Sequence, residues 1–97
     1  MPIILAHMGG YPAQRKMYFR ALELAKDYPH VYLNTSFVFL QYILESAIAK
    51  CPTKIIFGSD APGIHPVTAI SSITSLRISD EDKQLVFRDN MARVLGL

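Results

Sequence analysis

Short apolar runs alternate with longer stretches of helical period along this chain. Pro2 to Ala6, Val31 to Asn34 and Lys54 to Phe57 are apolar or β-branched runs too short for helices, which predicts buried strands. After each comes a turn signal and then an apolar period near that of a helix. The spacing predicts a first helix from Pro12 to Asp27, with Met17, Ala21, Leu24 and Tyr28 on its apolar face and Pro29 ending it. It predicts a second from Phe37 to Lys50, apolar almost all round, with Gln41, Glu45, Ser46 and Lys50 as a thin polar stripe. Such a helix is covered on more than one side. Pro66 suits the first position of a third helix carrying Val67, Ile70 and Ile73. Ser79 caps a fourth, with Asp80, Glu81 and Asp82 at its positive end and Gly96 stopping it.

Strand followed by helix, repeated along the chain, is an α/β pattern with a parallel sheet. A βα unit takes about 30 residues, so a chain of 97 residues holds about three of them. Parallel strands all end on one edge, where open sheets and barrels place their sites. The residues at those ends are His7, then Asn34-Thr35-Ser36, then Asp60.

Composition narrows the class. With 51% hydrophobic and 19% charged residues, positions 1–97 suffice for a single small domain with its own core. A net charge of +2 carried by scattered Lys and Arg residues argues against a nucleic-acid partner. Cys51 is the only cysteine, so no disulfide framework exists and a reducing compartment is the easier reading. No signal-peptide pattern is visible at the start, and the apolar runs fall far short of the roughly 20 residues a membrane span needs. A cytoplasmic chain without a membrane partner is expected.

The candidate chemistry lies at the strand ends. His7 opens "HMGG", where Gly9 and Gly10 permit a sharp turn and leave room for an approaching group. Imidazole is both a common metal ligand and the side chain that titrates nearest neutral pH. Asp60, in "KIIFGSDAPG", supplies a hard anionic oxygen that can bind a metal ion or take a proton from bound water. Plainer readings stand beside these. His7 can simply cap a backbone group, and Ser59-Asp60 before a loop can be an Asx turn. His65, between Ile64 and Pro66, reads as an N-terminal helix residue before it reads as a ligand. Cys51 has no adjacent base, which argues against a nucleophile. The Phe37, Phe39, Tyr42 stripe reads as packing or interface.

"ILAHMGG", "YPHVYLNTS", "KIIFGSDAP" and "NMARVLGL", in that order, resemble the C-terminal part of the amidohydrolase-related family. This is a family of metal-dependent TIM-barrel enzymes that includes hydrolases and decarboxylases of the aminocarboxymuconate-semialdehyde type. The resemblance covers nearly the whole chain. It implies a partial TIM barrel: 1–97 as the C-terminal fragment of a (β/α)8 metal-dependent hydrolase barrel. It implies that His7 positions or activates a metal-bound water or binds metal, and that Asp60 is a metal ligand and proton acceptor. Both are then catalytic and metal-site residues, and the metal is divalent, zinc first. His65, Gly9 and Gly10 remain as candidates for contact with a small-molecule substrate. The closing segment from Asn90 looks structural. The chain departs from the family pattern where Ala61, Pro62 and Gly63 follow "GSD", and His65 stands two positions late for the family's histidine there. The His-x-His of the first strand and the His of the fifth are not in this sequence.

Two function classes follow. One is a metal-dependent hydrolase acting on C–N, C–O or C–C bonds of a small molecule through a metal-activated water. The other is an inactive barrel fragment that self-associates or binds a partner. An open flavodoxin-like sheet is set aside, because "HMGGYP" is no phosphate-binding G-x-G-x-x-G. Outer strands without guarding charges and a helix apolar on several faces predict a homo-oligomer, with the Phe37–Ala49 helix or an outer strand at its interface.

Overall fold

The three apolar runs lie side by side in a parallel sheet in the order β1 (Ile3–Leu5), β2 (Val31–Asn34), β3 (Ile55–Ile56). The register sets Ile3, Ile4 and Leu5 against Val31, Tyr32 and Leu33, and Leu33 and Asn34 against Ile55 and Ile56. The computed structural model describes residues 1–10 and 15–97. A 3-10 turn, Ala6–Gly9, follows β1 and precedes α1 (Arg15–Asp27). Next come α2 (Gln41–Lys50) after β2 and α3 (Pro66–Thr74) after β3. The chain closes with α4 (Asp80–Gln84), a π-turn (Leu85–Asp89) and α5 (Asn90–Val94). A parallel sheet of three strands, each followed by a helix, is the α/β architecture that the sequence pattern predicts. Among the described residues no helix is long and apolar enough to cross a membrane.

Leu33 and Ile55 form the floor of the core, against which α1 and α2 bring Leu22, Ala25, Leu44 and Ile48, while Ile56 is buried outside that cluster, its side chain on the other face of the sheet. α1 buries Tyr18, Ala21, Leu22 and Ala25, while Met17, Leu24 and Tyr28 are exposed. Of the apolar face expected for this helix, only Ala21 is inside. The helix carries apolar residues on two adjacent stripes, and the stripe with small alanines lets its backbone approach the sheet closely. The expected start at Pro12 lies outside the described residues.

α2 begins at Gln41, four positions later than expected, because Phe37 takes a left-handed backbone conformation (φ 60°) that no helix can contain. Its inner face of Ile43, Leu44, Ala47 and Ile48 is covered by the chain's own core, so that of its apolar residues only Tyr42 and Ala49 are left on the outside. In α3, Ile73 and Ala69 are buried but Val67 and Ile70 are exposed. The Ser79 hydroxyl caps α4 by accepting the Asp82 N–H at 3.1 Å, as its position before three acids suggests.

The expected single closing helix is interrupted by the π-turn, and the interruption serves the sheet. In β3 the backbone groups of Lys54 and Ile56 face β2, where their carbonyls accept from Leu33 and Thr35 at 2.9 Å. Ile55 and Phe57 therefore face the outer edge. There the Phe57 N–H donates to the Val86 carbonyl at 3.0 Å, and the Asn90 amide donates to the Ile55 carbonyl at 2.8 Å and to Pro52 at 2.7 Å. Asn90 is fully buried. The "KIIF" edge, expected to lie open, is thus covered by the closing helix. The other edge strand is β1, where Ile3 and Ile4 remain exposed.

At the opposite, N-terminal edge of the sheet, Lys54 does comparable work. Its ammonium donates to the carbonyls of Ala25, Tyr28 and Val31 at 2.9–3.0 Å, and lies 4.9 Å from the Tyr32 ring centroid. It thereby satisfies the end of α1 and the entry to β2 with a favourable charge for a helix C-terminus. Burial pulls its pKa below the ordinary lysine value. Cys51 nearby is buried, its thiol directed at the Ala47 carbonyl, and burial raises its pKa. It is a packing residue.

Asn90→Ala should destabilise the chain by about 1–3 kcal/mol for each carbonyl left unpaired, with Asn90→Asp recovering little because a carboxylate cannot donate. Urea denaturation followed by circular dichroism measures both. Cys51 should react with a thiol reagent only as fast as the protein opens, so that labelling speeds up in step with the Asn90→Ala destabilisation.

Candidate active site

Because the strands are parallel, the segments after β1, β2 and β3 emerge on one edge of the sheet. This brings His7, the Asn34–Phe37 segment and Asp60 to the same side, with β2 between the other two strands. Backbone strain gathers there. Among the described residues the non-glycine positions with positive φ are His7 (56°), Met8 (49°), Phe37 (60°) and Asp60 (64°). Each follows within a few residues of a strand end. Left-handed backbone costs a non-glycine residue on the order of 1–3 kcal/mol and persists where the surroundings over-determine it, commonly at functional sites.

His7 is held from β2. Its Nδ1 lies 2.7 Å from the Ser36 carbonyl oxygen and 3.0 Å from the Ser36 hydroxyl. The Phe37 ring meets the imidazole edge-on with centroids 5.9 Å apart, and Phe39 meets Phe37 at the same distance. Ser36 is itself fixed, since its N–H donates to Asn34 Oδ1 at 2.8 Å. The Asn34 carboxamide lies over Gly58 so closely that a Cβ there would stand 2.2 Å from Asn34 Oδ1. The Gly58 N–H in turn donates to the Thr35 hydroxyl at 3.2 Å. The network runs across all three strand ends. A sequence reading groups Asn34-Thr35-Ser36 at the edge, but the need for glycine at position 58 is a tertiary contact without a local signal.

Asp60 is exposed, and its carbonyl accepts the Ile64 N–H at 3.1 Å to close the loop that follows β3. Ser59 supplies the side-chain turn, accepting the Ala61 N–H at 3.2 Å. His65 is the N-cap of α3, where its Nδ1 accepts the Val67 N–H at 3.1 Å. The space beside Gly9 and Gly10 is filled by α1: a Cβ on Gly10 would fall 2.1 Å from the Tyr18 ring, and one on Gly9 2.9 Å from Ala21.

Imidazole and carboxylate are donors that divalent metals accept, but a catalytic zinc takes three protein ligands. Among the described residues no group of three or more His, Cys, Asp or Glu side chains converges to hold a metal ion. His7 and Asp60 are two donors on one edge and not a complete metal site. A surface cleft of about 310 Å³, lined by Lys26, Lys50, Cys51 and Lys54, lies at the opposite edge.

A double-mutant comparison tests the strand-end network. Gly58→Ala should cost about 1–3 kcal/mol through overpacking against Asn34. In the Asn34→Ala background the same change should cost much less, because the clashing carboxamide is gone. Additive losses in thermal or urea unfolding would count against the contact.

The family model described as Amidohydrolase matches residues 1–97. Among solved structures, the chain is similar to 2,6-dihydroxybenzoate decarboxylase in complex with 2,6-dihydroxybenzoate (TM-score 0.75, 21% identity, covering 98% of this chain and 34% of that one). It is similar also to a dihydroxybenzoic acid decarboxylase from a Polaromonas species with bound manganese and 2-nitroresorcinol (TM-score 0.75, 24% identity, 99% and 34%). A third is 5-carboxyvanillate decarboxylase from Sphingomonas paucimobilis (TM-score 0.74, 20% identity, 99% and 34%). No curated protein sequence matches. The chain spans about a third of the length of the solved structures it matches. By the family match over its whole length, this chain belongs to the amidohydrolase family.

Proposed function

We propose that this chain carries part of the active site of a metal-dependent enzyme that cleaves a bond of a small molecule, with His7 and Asp60 as its working side chains. The observation that carries the reading is their placement on one edge of a parallel sheet, each on left-handed backbone. The similar folds belong to decarboxylases, which favours cleavage of a C–C bond, the loss of CO2 from an aromatic acid, over hydrolysis of C–N or C–O bonds.

The proton chemistry suits either reaction. In hydrolysis, a basic imidazole or carboxylate takes a proton from the attacking water. In decarboxylation, the C–C bond breaks toward the ring, CO2 departs, and the carbon that keeps the electron pair takes a proton from an acid that must later be reprotonated. Asp60, exposed at its strand end, can exchange protons with water between turnovers. His7, clamped at Nδ1, works from Nε2. Phe37, edge-on to His7, and Phe39, edge-on to Phe37, are exposed apolar rings against which a planar substrate could pack.

The metal reading is divalent, with zinc suggested by a His and carboxylate donor set and manganese by the similar Polaromonas enzyme. When bound, such a metal supplies a Lewis acid that polarises oxygen and lowers the pKa of water towards ~7. His7 and Asp60 would contribute two of its ligands, the remainder coming from outside the described set. We further propose self-association, now through the β1 edge with exposed Ile3 and Ile4, since β3 and the inner face of α2 are covered.

Elemental analysis and release of CO2 from 2,6-dihydroxybenzoate test this function. Metal-dependent turnover is expected where the remaining metal ligands are supplied together with this chain, falling by about 10²-fold or more in His7→Ala and in Asp60→Ala. Turnover that survives both changes together would overturn the assignment. A mass of 10.9 kDa by light scattering at micromolar concentration would exclude the oligomer.

A further inference from the structure

A histidine at an active edge can act through one nitrogen only if the other is committed, and the surroundings of His7 commit Nδ1. A backbone carbonyl accepts hydrogen bonds and never donates them. The 2.7 Å separation between Nδ1 and the Ser36 carbonyl therefore requires a proton on Nδ1. The Ser36 hydroxyl at 3.0 Å shares the same N–H. In the neutral ring the lone pair then lies on Nε2. His65 is the converse case, because its Nδ1 accepts the Val67 N–H and must be unprotonated in the neutral ring. His7 and His65 are thus held in opposite tautomers by hydrogen bonds to the backbone.

The Ser36 carbonyl does not reach its position by default. The Asn34 carboxamide accepts the Ser36 N–H at 2.8 Å and ties down the turn. Phe37, on left-handed backbone at φ 60°, sets the plane of the peptide that carries the carbonyl. Gly58 leaves the space in which the Asn34 side chain lies. The Thr35 N–H and hydroxyl anchor the segment to β3 through the Ile56 carbonyl at 2.9 Å and the Gly58 N–H at 3.2 Å.

We infer that Asn34 and Ser36, with Gly58 making room for them, are positioning residues that hold His7 in the Nδ1-protonated tautomer and so select Nε2 as the atom that acts. The inference rests on the reading of His7 as a working side chain. It adds the device that fixes which nitrogen works. The cost of left-handed backbone at Phe37 is then part of presenting one carbonyl to one imidazole.

Long-range proton–nitrogen correlation spectra of the ¹⁵N-labelled chain, without metal or substrate and at a pH above the imidazole range, read the tautomers directly. The expected spectrum shows His7 with a protonated Nδ1 and an unprotonated Nε2, and His65 the other way round. His7 with a protonated Nε2 would overturn the inference at once. Asn34→Ala should collapse the single His7 tautomer into an averaged pair of shifts, while Asn34→Asp, which keeps an oxygen acceptor, should retain it. An unchanged His7 in folded Asn34→Ala would remove Asn34 from the role. Ser36→Ala, which keeps the carbonyl and loses only the hydroxyl, covers the case in which Asn34→Ala does not fold. It should keep the protonated Nδ1, and a switch there would show that the carbonyl is not the holder. These spectra are independent of turnover. An inactive protein with the expected tautomer would defeat the functional reading alone, and an active one with a protonated Nε2 would defeat this inference alone.

Discussion

A strand two residues long survives only if the backbone groups on both of its sides find partners. β3 meets that constraint with unlike neighbours: β2 on one side, and on the other a helix carbonyl and the amide of Asn90. Pairing a strand edge with a helix is possible because the π-turn leaves the Val86 carbonyl available to Phe57. The rest of the architecture hangs from this arrangement. It fixes the closing helix to the sheet and aims the segment after β3, so that Gly58 meets Asn34 and Asp60 arrives at the edge where His7 stands. Lys54 performs the matching task at the other end of β3, gathering carbonyls from α1 and β2.

The two edges of the sheet differ in character. At the N-terminal edge, charged and amide groups quench helix-end and strand-end carbonyls in relaxed geometry. At the C-terminal edge, non-glycine residues take left-handed backbone and the hydrogen bonds serve side chains, not ladders. One end of a parallel sheet carries stability and the other carries strain, as expected of an α/β protein whose chemistry sits beyond the strand ends.

Much of this is legible from the sequence because it depends on local pattern. The run Val31 to Asn34 is β2 to the residue, and parallel order follows from alternating strands and helices. Ser79 and His65 announce themselves as helix-start residues by position alone, and His7 and Asp60 stand at strand ends for the same reason. What local pattern cannot carry is tertiary choice. α1 has two apolar stripes, and only packing against Gly9 and Gly10 decides for Tyr18 and Ala21 over Met17 and Leu24. Phe37 reads as helical from its place in the apolar pattern, yet it takes left-handed backbone directly after the turn at Ser36. Lys54, read as a strand residue, shows its role only when three carbonyls distant in sequence come within reach. The covered edge of β3 depends on Asn90, 35 residues away from its partner Ile55.

The π-turn has a consequence for how this chain tolerates change in length. A π-turn holds one more residue than a turn of α-helix, so deleting any single residue between Leu85 and Asp89 would leave a sequence well able to form a regular helix. The residues beyond would keep their facing, but the Val86 carbonyl would be taken into the i→i+4 ladder and lost to the Phe57 N–H. Helical content would be conserved or even increased, and the outer side of β3 would lose a backbone partner. In this segment the number of residues matters more than their propensities, and a more perfect helix makes a poorer protein.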